Sequence, residues 1–393
     1  MPRPVKIKRY SQKKGFSMRP NPHPVTIIAV VAAVAALVCL GIFLYKPIYN
    51  WIMGERPTPK IEPLESLSGT QNPDAPPADS EQQPTEAENQ AAAPPVAAVD
   101  ALRMIYLPHD IALDPARVAA ALAAAPDCNA VMIDIKNAQG QLLYRTEHPA
   151  SGWDGAVVSN PVDLSQLTAL LQEHNVYLAV RMAAFSDPVV AKADRERNAI
   201  LYQNTQMLWL DNTAEDGGKA WANPYSQPVR NYLTEIAVNA AELGAKMIIL
   251  DYAWFPDDPT GTATYAGSGE KSRAAVLTEF FAQLQTALQP LGARCAAYLP
   301  SAAILNPEEL PASRFGGPAG NVAPQNVVVG LPAPAGEDIA ANYRVLLRQL
   351  ETSLANKTLI ALLPTDQPSL GRTMQLSEYI LYRANGIYPA GAA

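Results

Sequence analysis

Four ionisable residues close otherwise apolar runs. Asp134 and Lys136 end Ala130 to Lys136 (AVMIDIK), Arg181 closes Val176 to Met182 (VYLAVRM), and Asp251 closes Lys246 to Tyr252 (KMIILDY). A carboxylate at the end of a buried run is costly unless a cation or hydrogen-bond donors meet it. Lys136 and Arg181 are the partners at hand, and either would keep the acid it touches ionised. Strand side chains alternate between faces. Asp134 and Lys136 therefore share a face with Ala130 and Met132, Arg181 with Ala179 and Tyr177, and Asp251 with Met247 and Ile249. Two carboxylates and two cations are expected at one mouth, either as an ion cluster closing the fold or as a polar floor for proton transfer.

Aromatic residues crowd the same stretch. Tyr252, Trp254 and Phe255 follow Asp251 directly, and two loops, MLWLD with Trp209 and AWANP with Trp221 and Asn223, reach toward it. A pyranose presents apolar C–H faces to aromatic rings and hydroxyls to polar side chains, so this mixture suits a carbohydrate. The competing reading is that the tryptophans are packing caps. No metal or cofactor is expected: His23, His109, His148 and His174 are isolated, Cys39, Cys128 and Cys295 have no ligand spacing, and neither a P-loop nor a GxSxG elbow is present.

These residues need a scaffold that gathers strand ends. Candidate strands are Leu102 to Leu107, Ala130 to Lys136, Val176 to Met182, Lys246 to Tyr252, Arg294 to Leu299, Asn326 to Leu331, Thr358 to Leu363 and Gly386 to Tyr388. Helical spacing predicts Pro115 to Ala125, Leu164 to His174, Pro228 to Leu243, Lys271 to Gln289, Asp338 to Ala355 and Gln375 to Ala384. Near-continuous apolar strands need helices over them, so the expected fold is α/β, a closed (β/α)₈ barrel over residues 100–393. An open doubly wound sheet would favour a glycine-rich turn after its first strand, where this chain has Pro108-His109-Asp110. The Pro- and Gly-rich stretch from 301 to 325 is the weakest part of the pattern.

Upstream, the composition changes. Residues 1–24 carry seven cations and no acid, leaving the remainder at a net charge of −14, unsuited to nucleic acid. Val25 to Tyr45 is uncharged for 21 residues, long enough to cross a bilayer as a helix. The cations before it predict a cytoplasmic N-terminus, a single-pass anchor in the cell membrane and an extracytoplasmic barrel. Residues 46–99, rich in Pro, Ala, Glu and Gln, are expected to form a disordered linker. No oligomeric state follows from the sequence.

The segments VMIDIKNAQGQLLY (131 to 144), VYLAVRMAAFSDPVVAKA (176 to 193), LWLDN (208 to 212) and AWANPYSQPVRNYLTEIAVNAAELGAKMIILDYAWFP (220 to 256) resemble the glycoside hydrolase-like domain of bacterial envelope proteins, a family related to the α-amylase-like barrels. The resemblance covers roughly residues 100 to 290. It implies action on a polysaccharide or cell-envelope glycan, with Asp251 as nucleophile or base and Asp134 as the second carboxylate. Asp257, Asp258 and Glu270 are the candidate proton donors, and Lys136, Arg181, Trp209, Trp221, Asn223, Tyr252 and Trp254 line the substrate. The fifth strand, RCAAYL, brings no acid. That leaves a catalytically inactive, glycan-binding barrel organising the envelope as the alternative.

Overall fold

The structure, a computed structural model, describes residues 101–306, 312–333, 338–354, 356–383 and 385. The expected tail, membrane anchor and linker, and the strand expected at 386–388, lie outside the described residues. Among the described residues no helix is long and apolar enough to cross a membrane.

The apolar runs become eight strands: β1 (Arg103–Tyr106), β2 (Ala130–Lys136), β3 (Tyr177–Ala183), β4 (Ala245–Asp251), β5 (Arg294–Pro300), β6 (Asn326–Gly330), β7 (Thr358–Pro364) and β8 (Tyr379–Tyr382). Each pairs in parallel with the next, and β1 pairs with both β2 and β8, so the sheet closes on itself as the expected eight-stranded barrel. Alternation divides the side chains into two layers. Met104, Met132, Ala179, Ile249, Val328 and Ile380 fill the barrel interior. Ile105, Val131, Val180, Ile248 and Val327 face outward into the layer covered by helices. Each fully buried Ile, Val or Met contributes about 1.5–3 kcal/mol by leaving water.

The covering helices are α1 (Pro115–Ala124), α2 (Leu164–Glu173), α3 (Gln227–Glu242), α4 (Arg273–Leu288) and α5 (Ile339–Ser353). Every one begins on a side chain that accepts a hydrogen bond from its first turn: Asp114, Asp163, Ser226, Ser272 and Asp338. These caps satisfy N–H groups with no partner inside the helix and fix where each helix starts. After β5 and β7 the described residues of the connections form short helical turns, such as Ser301–Leu305 and Leu370–Thr373.

One expectation fails. The helix predicted over Gln375 to Ala384 is β8, whose Tyr379, Ile380 and Leu381 pair with both β1 and β7. Its apolar run is continuous because both faces are buried, and a continuous run also fits helical spacing. The ring is thus closed by Tyr379–Tyr382.

Two local irregularities shape the upper end of the barrel. In β2, Asp134 stands opposite Arg181 and Lys136 opposite Met182, so Ile135 is an extra residue in a bulge. After β4, Tyr252 takes a φ of 52°, a left-handed conformation uncommon outside glycine.

Candidate active site

The inner phase of the strands ends, at the C-terminal mouth, in Tyr106, Asp134, Arg181, Asp251, Tyr298 and Tyr382. Asp134 and Arg181 meet as a bidentate pair, with Nε donating to Oδ1 at 2.6 Å and the terminal nitrogen to Oδ2 at 3.0 Å. Tyr106 Oη donates to the same Oδ2 at 2.8 Å. Burial first, and then the Asp134 charge, push the Tyr106 phenol above its ordinary pKa, so it stays a donor. The Arg181 guanidinium lies 5.4 Å from the Tyr106 ring, which stacks on Tyr382 at 4.9 Å. With three bonds on its two oxygens, Asp134 is committed to holding Arg181 in one orientation.

Asp251 differs. Its Oδ1 accepts the Tyr252 amide at 2.8 Å, an inward N–H made available by the left-handed turn. No salt bridge among the described residues reaches it. Burial pushes its carboxyl up from 3.8 to about 6; the Arg181 charge and the Tyr252 amide oppose the rise, and the Asp134 charge adds to it. β3 separates β2 from β4, so the two carboxylates are set on strands roughly 10 Å apart, on either side of Arg181. A carboxyl that titrates near pH 6 both gives and takes protons near neutrality.

The bulge at Ile135 removes Lys136 from this group. Instead of sharing the Asp134 face, Lys136 points outward beside Met182 and is fully buried, its Nζ 2.8 Å from Asp187 Oδ2 and 2.7 Å from the Ala183 carbonyl. The contact with Oδ2 is ionic rather than an aligned hydrogen bond. Asp187 Oδ1 accepts the Val189 and Val190 amides, and Gly140 packs so close to it that a side chain there would collide. Lys136 is therefore a structural pin between the ends of β2 and β3, not a substrate contact.

The tryptophans are packed, as the competing reading held. Trp209, Trp221 and Trp254 are only 3%, 5% and 6% exposed, leaving little ring face for a sugar. Trp221 Nε1 donates to Asp211, and its ring meets Tyr252 edge-on at 5.9 Å. Trp254 packs on Tyr252 from another side at 5.4 Å. Together they support the residue whose amide holds Asp251. Asn223 is wholly buried, bonded to the Ala266 carbonyl and the Tyr225 amide. Tyr252 alone of the expected aromatic and amide contacts keeps partial exposure.

The candidate proton donors are engaged elsewhere or lie exposed. Asp257 is clasped by Arg314. Slight burial would raise Asp258, but the Ala263 and Thr262 amides and the Thr260 hydroxyl outweigh it and hold the carboxyl below its ordinary range. Glu270 is exposed. The sequence reading missed Tyr106 and Tyr298, although each ends an inner-phase run, the same signal that located Asp134 and Asp251; it also missed Tyr382, whose strand read as a helix.

An open pocket of about 370 Å³, lined by Thr365, Tyr382, Arg383 and Asn385, continues the mouth past β7 and β8. A groove of about 260 Å³ beside Leu113 and α2 lies outside the barrel and holds the Arg145–Asp163 ion pair. Among the described residues no group of three or more His, Cys, Asp or Glu could hold a metal ion.

Solved structures similar to this chain include a hypothetical protein from Ruminiclostridium thermocellum, at 27% identity over 49% of this chain and 96% of that one, with a TM-score of 0.43. The PgaB (BpsB) glycoside hydrolase domain from Bordetella bronchiseptica is 12% identical over 73% of this chain and 95% of its own, TM-score 0.47. An α-galactosidase from Thermus thermophilus is 12% identical over 75% and 60%, TM-score 0.45. No curated protein matches the chain. A family model matches residues 104–309, a little over half of the sequence, from the second residue of β1 through the turn after β5. On that match, the chain belongs to the family described as "Putative glycosyl hydrolase domain".

Proposed function

We propose that the barrel mouth hydrolyses a glycosidic bond in a polysaccharide or cell-envelope glycan, with Asp251 as the carboxyl that transfers the proton. The observation that carries this reading is the asymmetry of the two acids. Asp134 is neutralised by Arg181, whereas Asp251 has no ion-pair partner among the described residues and titrates at about 6. In this scheme Arg181, held by Asp134, orients sugar hydroxyls, and the exposed faces of Tyr252, Tyr298 and Tyr382 supply apolar and hydroxyl contacts. The 21-residue uncharged run from Val25 to Tyr45 and its flanking cations support a membrane anchor that sets the barrel outside the cytoplasm, beside envelope glycans.

A second reading has an observation in its favour. A two-carboxylate mechanism needs an acid and a partner flanking the scissile bond, yet both oxygens of Asp134 are engaged and β5 ends in Tyr298. A glycan-binding barrel without turnover fits those facts. The test incubates the full chain with β-1,4-linked N-acetylglucosamine hexamer, cellohexaose, maltohexaose and isolated peptidoglycan, beside Asp251→Asn and Asp134→Asn. Release of shorter sugars that both variants lose supports hydrolysis. Binding without release supports the second reading, and neither binding nor release rejects both.

A further inference from the structure

Asp251 and Tyr298 are neighbours by strand register. β4 and β5 pair with Leu250 opposite Ala297, and one residue further on stand Asp251 and Tyr298. Both continue the inner phase of Ile249 and Ala296, on strands about 4.8 Å apart. The Tyr298 ring turns away from β4 and leans over the end of β6. A Cβ built on Gly330 would lie 2.8 Å from its Cζ and 2.9 Å from its Cε2, and closer still to the hydroxyl. The phenol thus lies over the end of β6, near enough to the Asp251 carboxyl to feel its charge, in space that the missing side chain of Gly330 leaves free. Among the described residues its hydroxyl bonds to no protein atom, and the ring is only half-buried. Burial, followed by the Asp251 charge, raises its pKa, so the hydroxyl keeps its proton.

We propose that Tyr298 Oη touches the substrate, donating a hydrogen bond that holds a glycan oxygen against Asp251, and that Gly330 is a glycine so that the phenol reaches this position. The proposal rests on the glycan reading of the mouth. It adds a second polar group, a neutral donor, on the strand that brings no acid.

The experiment uses the full chain and the four glycans named above, with Tyr298→Phe, Gly330→Ala and the double variant. Tyr298→Phe keeps the ring and removes a hydroxyl with no hydrogen-bond partner among the described residues. The thermal midpoint should therefore stay at the wild-type value, while kcat/KM, or affinity if only binding occurs, falls about tenfold, the worth of one hydrogen bond. Gly330→Ala displaces the ring and should cost a similar factor. Because both changes remove the same contact, the double variant should be no worse than the poorer single one. Wild-type affinity and turnover in Tyr298→Phe would overturn the proposal while leaving the glycan reading intact, as would losses that multiply in the double variant. Wild-type protein inert toward all four glycans overturns the glycan reading and this proposal with it. If Gly330→Ala does not fold, Tyr298→Phe alone decides.

Discussion

The two ends of the barrel are built from the same chemical unit and use it differently. At the N-terminal floor, Arg294 holds Glu378 through both terminal nitrogens, at 2.6 and 3.4 Å, and Glu378 also accepts the Leu102 amide at 2.9 Å. One cation meets one anion, and Glu378 is 6% exposed. At the mouth, Arg181 and Asp134 form an equivalent fork. There, however, a second carboxyl, Asp251, with no salt bridge among the described residues and a phenol, Tyr298, with no hydrogen bond among them stand close enough for the phenol to feel the carboxylate charge. An arginine–carboxylate pair in a barrel is thus not by itself a sign of a site. The surplus around it is, because an unneutralised acid in a partly buried place is destabilising and needs another reason to be there.

The largest expected effect bears on that surplus. Asp251→Asn should lower turnover by about 10³-fold, the scale of a lost general acid or base, in initial rates on whichever of the four glycans the wild type cleaves. A variant with more than a tenth of the wild-type rate would break the contrast between the two ends. Next is the floor: Glu378→Gln strands a partly buried guanidinium and should cost about 2 kcal/mol in urea unfolding, with turnover per folded molecule unchanged.

The third prediction concerns pH. The Asp251 carboxyl rises on folding from 3.8 to about 6, so burying it in ionised form opposes folding. The stability it contributes as a neutral group is fully present below about pH 4 and is lost as pH rises through 6. Relative to Asp251→Asn, which does not ionise, the wild type should lose on the order of 2 kcal/mol across that window. Parallel stability–pH curves for the two proteins would contradict the assignment. The smallest effect comes from apolar replacement of whole pairs. Arg294→Met with Glu378→Leu should change stability by no more than about 1 kcal/mol and leave glycan binding intact. Arg181→Met with Asp134→Leu should be similarly mild for stability yet abolish binding, as measured by calorimetry.

Most of the scaffold was legible in the sequence because the barrel strands are short apolar runs bounded by helix caps such as Asp114 and Asp163. β8 was not, since its apolar residues at 379–382 carry no alternation to distinguish strand from helix. At the mouth, alternation correctly phased Asp134, Arg181 and Asp251, which contribute to one another's electrostatics. It failed for Lys136 because a bulge is a property of the pairing between two strands, and no residue type in IDIK announces it. The tryptophans misled for another reason. A ring near a carboxylate in sequence can serve the carboxylate from behind, as Trp221 and Trp254 do through Tyr252.

The bulge in β2 also determines what kind of sequence change this region tolerates. Deleting Ile135 would restore regular pairing with β3 and leave the lysine opposite Met182 on its present outward face. One residue inserted between Arg181 and Met182 would instead pair off the bulge and turn the lysine to the face it now avoids. The ammonium would then face into the lumen and abandon Asp187 inside the wall. Substitutions at Ile135 by residues of similar bulk should be mild by comparison. In this short stretch, spacing is under tighter physical constraint than residue identity.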